Sequence, residues 1–124
     1  RRLCEADRVK YLIQHPEPIG IERDLLDAGD VLTVARAVEA AGWDGVAFTE
    51  HPAPGYRWLA EGGGHQTLDP FVALAAAAAV TERIKLLTYL SVAPYRNPLL
   101  LAKSAASVDL ISKGRFILAS APAI

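Results

Sequence analysis

The chain has 124 residues, 52% hydrophobic and 22% charged, and 13 basic against 14 acidic side chains leave a net charge of −1. That balance fits an ordinary globular chain, excludes intrinsic disorder and gives no basic excess for a nucleic-acid partner. No apolar run approaches the ~18 residues of a membrane span, no secretory layout follows Arg1, and the single cysteine, Cys4, suits the cytosol.

Val9 to Ile13 reads as a first strand, closed by Pro16 and Pro18, which cannot continue a ladder. Leu25 to Asp30 is acidic and poorly periodic, one turn of helix at most. From Val31 to Ala41 apolar residues recur at helical spacing, with Asp30 placed as N-cap and Gly42 as the C-terminal stop. Gly45 to Thr49 is the second strand, and Glu50, His51 and Pro52 follow directly at its end. A long Gly/Pro-rich loop then runs to Leu68. Its Gly62-Gly63-Gly64 run lacks the strand–turn–helix context of a phosphate loop and reads as a flexible linker.

Asp69-Pro70 opens the next helix with a side-chain acceptor at the N-cap and proline at the first turn. That helix continues to Thr81 through five alanines, Ala75 to Ala79, whose small side chains allow close packing on a sheet. Ile84 to Leu90 is the third strand, followed by a loop from Ser91 to Arg96. Asn97-Pro98 repeats the cap-and-proline device and starts a helix to about Ser112. Lys113-Gly114 stops it, and Arg115 to Ala119 is the fourth strand. The order β-α-β-α-β-α-β suits parallel crossovers. It fits an open doubly wound sheet or half of a (β/α)8 barrel, and pattern alone leaves both open.

Several motifs in order narrow the choice. Ala40-Ala41-Gly42-Trp43-Asp44-Gly45-Val46 is followed by Thr49-Glu50-His51-Pro52, then by Gly64-His65 and Leu68-Asp69-Pro70-Phe71. Pro94-Tyr95-Arg96-Asn97-Pro98, Ala102-Lys103, Asp109-Leu110-Ile111-Ser112 and Gly114-Arg115-Phe116 complete the series. Together they resemble the luciferase-like monooxygenase superfamily, and most closely its branch using the deazaflavin F420 rather than FMN. The resemblance implies an α/β fold, the N-terminal half of a (β/α)8 TIM barrel with about four parallel strands and three helices, in one partial domain spanning 1–124. It implies an F420- or FMN-dependent oxidoreductase moving a hydride to or from a small organic molecule. His51 would be the catalytic residue and Glu50 a cofactor contact, at the strand ends where barrel chemistry sits. It also implies a non-prolyl cis bond at Tyr89–Leu90, which with Ser91 would prop the ring. No metal is implied.

Plainer readings stand beside these. His65 and His15 read as structural or solvent-facing residues. Arg96 reads as a local ion pair or, alternatively, a contact for an anionic cofactor tail. Trp58 and Tyr56 would line a substrate pocket or simply cover the barrel mouth.

A barrel of this class takes about 250 residues, so a chain ending after a fourth strand is expected to be a fragment. The family continues after Leu118 with a Gly-Val-Gly-Ala-Gly-Tyr-like segment, where this chain reads Ala-Ser-Ala-Pro-Ala-Ile. Written in GC-rich codons and read one base later, that segment encodes these residues, so a frameshift is expected here. Two functions remain at this stage. One is a truncated oxidoreductase half; the other is a non-catalytic remnant that self-associates through open sheet edges as a homo-oligomer or binds a partner.

Overall fold

The computed structural model describes residues 9–17 and 31–121. In chain order its elements are β1 (Leu12–Gln14), α1 (Val31–Ala40), β2 (Gly45–Phe48), α2 (Tyr56–Glu61), α3 (Pro70–Ala79), β3 (Lys85–Thr88), β4 (Ser91–Val92), α4 (Pro98–Ile111), β5 (Phe116–Ile117) and β6 (Ser120–Ala121). Strands β1, β2, β3 and β5 lie side by side in that order and are all parallel. This is the α/β sheet expected from the alternating pattern. The first strand begins later than its β-like run, at Leu12. The expected cap at Asp30 and turn at Leu25–Asp30 lie outside the described residues.

Side chains alternate faces along a strand, and the register sorts them. Ile13, Val46, Leu86 and Phe116 share one face, where Val46 and Leu86 are fully buried against Ala35 of α1, Leu74 and Ala77 of α3, and Val108 of α4. The opposite face carries Gln14, Ala47, Leu87 and Ile117, and Ile117 stays 42% exposed. Gly45 lies on that face, and a Cβ there would come 2.7 Å from the Lys85 carbonyl oxygen. Glycine is required for the strands to approach.

The helix ends follow local rules. Asp69 Oδ1 accepts from the N–H groups of Phe71 (2.9 Å) and Val72 (3.2 Å), and Asn97 Oδ1 from those of Leu99 (3.0 Å) and Leu100 (3.4 Å). Gly42 ends α1 at φ +81°, a conformation in which a Cβ is disfavoured. Two anchors at the N-terminal side of the sheet have no local signature. Buried Arg115 donates to the carbonyls of Ala78, Thr81, Ile84 and Ser112 at 2.8–3.1 Å. The Glu39 carboxylate accepts from the successive N–H groups of Glu82, Arg83 and Ile84.

The third strand is broken. Its ladder stops at Thr88, the Tyr89–Leu90 peptide is cis, and pairing resumes in β4, which runs parallel to β6. Beside the break the Thr88 hydroxyl serves as a substitute rung. It donates to the Ala119 carbonyl (2.7 Å) and accepts from the Ala119 N–H (2.9 Å), while Ser91 N–H shares that carbonyl (2.8 Å). Thr88 is fully buried, so no water can replace the bond to the Ala119 N–H. Thr88→Val keeps the shape and strands that donor, at an expected cost of about 1–3 kcal/mol. Urea unfolding should show the midpoint falling for Thr88→Val, and falling less for Thr88→Ser, which keeps the hydroxyl and loses one buried methyl.

Candidate active site

The C-terminal ends of the parallel strands converge on one rim. Glu50, immediately after β2, is buried, and both its carboxylate oxygens are engaged. One accepts from the Val92 N–H (2.7 Å) and the Ser91 hydroxyl (3.1 Å). The other meets the Arg96 guanidinium, which also binds Asp69 Oδ2 at 2.7 Å and stands 4.7 Å over the Phe71 ring. Arg96 is therefore the local ion pair of the two sequence readings. Glu50, expected as a cofactor contact, gives its carboxylate to the protein and ties the end of β2 to the segment after the cis bond. Ser91, expected in the platform, is fully buried and spends its hydroxyl in the same tie.

His51 stands beside this knot. Its backbone N–H donates to Thr67 Oγ1 (2.9 Å), and its ring lies 4.8 Å from the rings of both Trp58 and His65. His65 in turn meets the Glu17 carboxylate at 2.6 Å, and the Thr49 hydroxyl donates to the same carboxylate. Glu17 is a residue that sequence reasoning misses, because its partners come from β2 and from the loop after α2. Burial first, and His65 second, push the pKa of His51 below its ordinary 6.5, against an opposing pull from Glu17. His51 is accordingly neutral near pH 7. His15 faces the helix side instead, stacked on Phe48 at 4.9 Å, and its pKa is lowered chiefly by burial.

The loop after β2 departs from expectation in two ways. It contains the helix α2, and its glycine run is packed rather than a free linker. The N–H groups of Gly62 and Gly64 both donate to the Trp58 carbonyl, and a Cβ on Gly64 would sit 2.5 Å from the indole. Trp58 is thereby held against the rim.

His51, Pro52, Pro54, Trp58, Tyr89, Leu90 and Tyr95 line a cleft of about 810 Å³, within the usual range for a small-molecule site. Glu50 and Arg96 belong to a smaller neighbouring pocket of about 320 Å³ with Thr67 and Asp69. Among the described residues, no group of three His, Cys, Asp or Glu side chains could hold a metal ion. Nor is any helix among them long and apolar enough to cross a membrane.

A model of the luciferase-like monooxygenase family matches residues 9–121. The chain belongs to that family. A curated relative, the uncharacterized Mycobacterium tuberculosis protein Rv0953c, is 45% identical over 65 residues, covering 52% of this chain and 23% of its own length. The monooxygenase RslO1 of Streptomyces bottropensis superposes with a TM-score of 0.77 at 30% identity, over 94% of this chain and 34% of that one. Two further likenesses establish the fold alone. One is the FMN-bound oxygenating constituent of a Pseudomonas putida diketocamphane monooxygenase (TM-score 0.76, 24% identity, 93% and 29% covered). The other is the F420-dependent tetrahydromethanopterin reductase of Methanopyrus kandleri (0.66, 22%, 94% and 28%). The chain thus spans about a quarter to a third of the length of these proteins. Their barrel fold is consistent with a partial barrel here.

Two outcomes follow from the site geometry. Glu50→Ala removes three donors' shared acceptor and should cost about 3–5 kcal/mol, the range for breaking a buried ion pair, read as a lower urea midpoint. The second concerns pH. His15 and His51 both have folded pKa values below 6.5, so the unfolded chain binds protons first as pH falls through 6.5. Stability should therefore be full above that value and decline below it, until the folded midpoints are reached. Urea midpoints at pH 7.5 and 5.5 should show the loss, and His15→Phe should reduce it.

Proposed function

We propose that the 124 residues form the first half of a flavin- or deazaflavin-dependent oxidoreductase barrel, with F420 favoured over FMN by the motif series. The convergence of His51, Tyr89, Leu90 and Trp58 on one cleft at the strand ends carries this reading. A bound flavin or deazaflavin supplies the hydride acceptor or donor. The cofactor ring fits the cleft, since Tyr89 and Leu90 present partly exposed apolar surface beside His51. The described residues supply no clamp for an anionic tail, because no Lys or Arg among them lines the cleft and Arg96 is committed to Glu50 and Asp69.

The residues present divide the work. Tyr89 and Leu90 support the ring, and Glu50 and Ser91 hold that support in register with β2. His51, neutral at pH 7, takes the proton of a substrate hydroxyl as its carbon is oxidised and returns it in the reverse direction. The uncovered apolar side chains Leu99, Leu100, Leu110 and Ile117 support a fragment reading in which further strands and helices complete the barrel.

Because the tail has no described clamp, phosphate should add little affinity, although each charge-assisted hydrogen bond is ordinarily worth about 1.5–3 kcal/mol. The test is a fluorescence titration of the chain with riboflavin, FMN and F420. Riboflavin and FMN should bind weakly and within about threefold of each other, and Leu90→Asp should weaken both at least tenfold. Absence of saturable binding by any of the three would remove the reading.

A further inference from the structure

Trp58 is an aromatic surface held from several sides at the rim. Its carbonyl accepts from Gly62 (3.1 Å) and Gly64 (3.0 Å), the glycine at 64 lies directly against the indole, and the rings of His51 and His65 pack on it at 4.8 and 5.4 Å. The His65 end of that stack stands against the Glu17 carboxylate. Yet the indole keeps 38% of its surface open, and it borders the cleft. The ring platform at Tyr89 and Leu90 belongs to the β3 side, whereas Trp58 stands on the loop that follows β2. Tyr95, 65% exposed, comes from a third segment, the 3-10 turn Ala93–Tyr95. The cleft therefore offers aromatic surface beyond the ring platform.

Its electrostatics are equally specific. The only charged side chain lining the cleft among the described residues is Glu50, whose oxygens are occupied by Ser91, Val92 and Arg96. The Thr49 hydroxyl is spent on Glu17, and His51 is held neutral by burial. An anionic ligand would lose hydration and gain no cation, and a cationic one would find no free carboxylate. A flat neutral molecule loses little on entry and gains a preorganised stacking partner.

We infer that the organic substrate of this rim is a neutral, flat aromatic compound stacked on Trp58, with Tyr95 lining the same cleft. The substrate role rests on the oxidoreductase reading above; the binding preference does not. Tryptophan fluorescence can test it, because the chain has two tryptophans and Trp43 lies away from the cleft. In a Trp43→Phe background Trp58 is the sole reporter. Three probes differ in one property each: anthracenemethanol (neutral, flat), anthracene carboxylate (anionic, flat) and adamantanol (neutral, globular). Anthracenemethanol should quench Trp58 saturably, with the carboxylate and adamantanol at least tenfold weaker. Tyr95→Ala, which removes an exposed side chain, should weaken anthracenemethanol about threefold to tenfold. Equal binding of all three probes, or tighter binding of the carboxylate, overturns the inference. Flavin binding without anthracenemethanol binding also overturns it while leaving the oxidoreductase reading intact. Anthracenemethanol binding without flavin binding upholds the preference and removes the oxidoreductase reading.

Discussion

Two residues past strand β2 sits a buried carboxylate, Glu50, and the positions of its neighbours at the rim depend on what it binds. Glu50 accepts from Ser91 and Val92, so the chain after β3 is held where β4 pairs with β6 in a separate two-stranded sheet. Through Arg96 it reaches Asp69, whose other oxygen caps α3. One charge thus joins the end of a strand, the restart of its neighbour and the first turn of a helix. A buried carboxylate without those donors would be costly, so the three segments are held in one arrangement. His51 is the next residue along the chain and inherits that placement.

The rim is assembled in two layers of different origin. Thr88 and Ala119 maintain hydrogen bonding beside the break between β3 and β4, where the four-stranded sheet gives way to the separate β4–β6 pair. Above it, the ring stack of His51, Trp58 and His65 is built by the loop after β2 and locked by Gly62 and Gly64. The first layer belongs to the sheet and the second to a long connection. Family members share the fold while acting on different molecules, and connections of this kind are where such differences arise.

Legibility in the sequence follows how local each interaction is. Asp69-Pro70 and Asn97-Pro98 mark helix starts because a cap acts on backbone two and three residues ahead. The alternation of strands and helices is legible because period and punctuation are local, and the motif series places His51 at a strand end. Glu50 reads as a free contact because its partners lie 41 to 46 residues away. Glu17 is silent for the same reason, and Arg115 enters only within a motif, since most of its partners converge on it only after folding. The glycine run reads as a linker although Trp58 lies only a few residues earlier, because glycine carries no pattern that says whether its open side is filled. Helix α2 is short and follows three prolines and glycines, so its periodicity has no room to show.

The central claim is that the rim around Glu50 and His51 is a preassembled ring-binding half-site. Its most direct test is amide chemical-shift mapping of the chain during titration with riboflavin. The account predicts shifts concentrated at His51, Trp58 and Tyr89 to Val92, with Gly42, Arg83 and Gly114 at the other end of the sheet unmoved. Shifts confined to that opposite end, or to the uncovered face of α4, would contradict it.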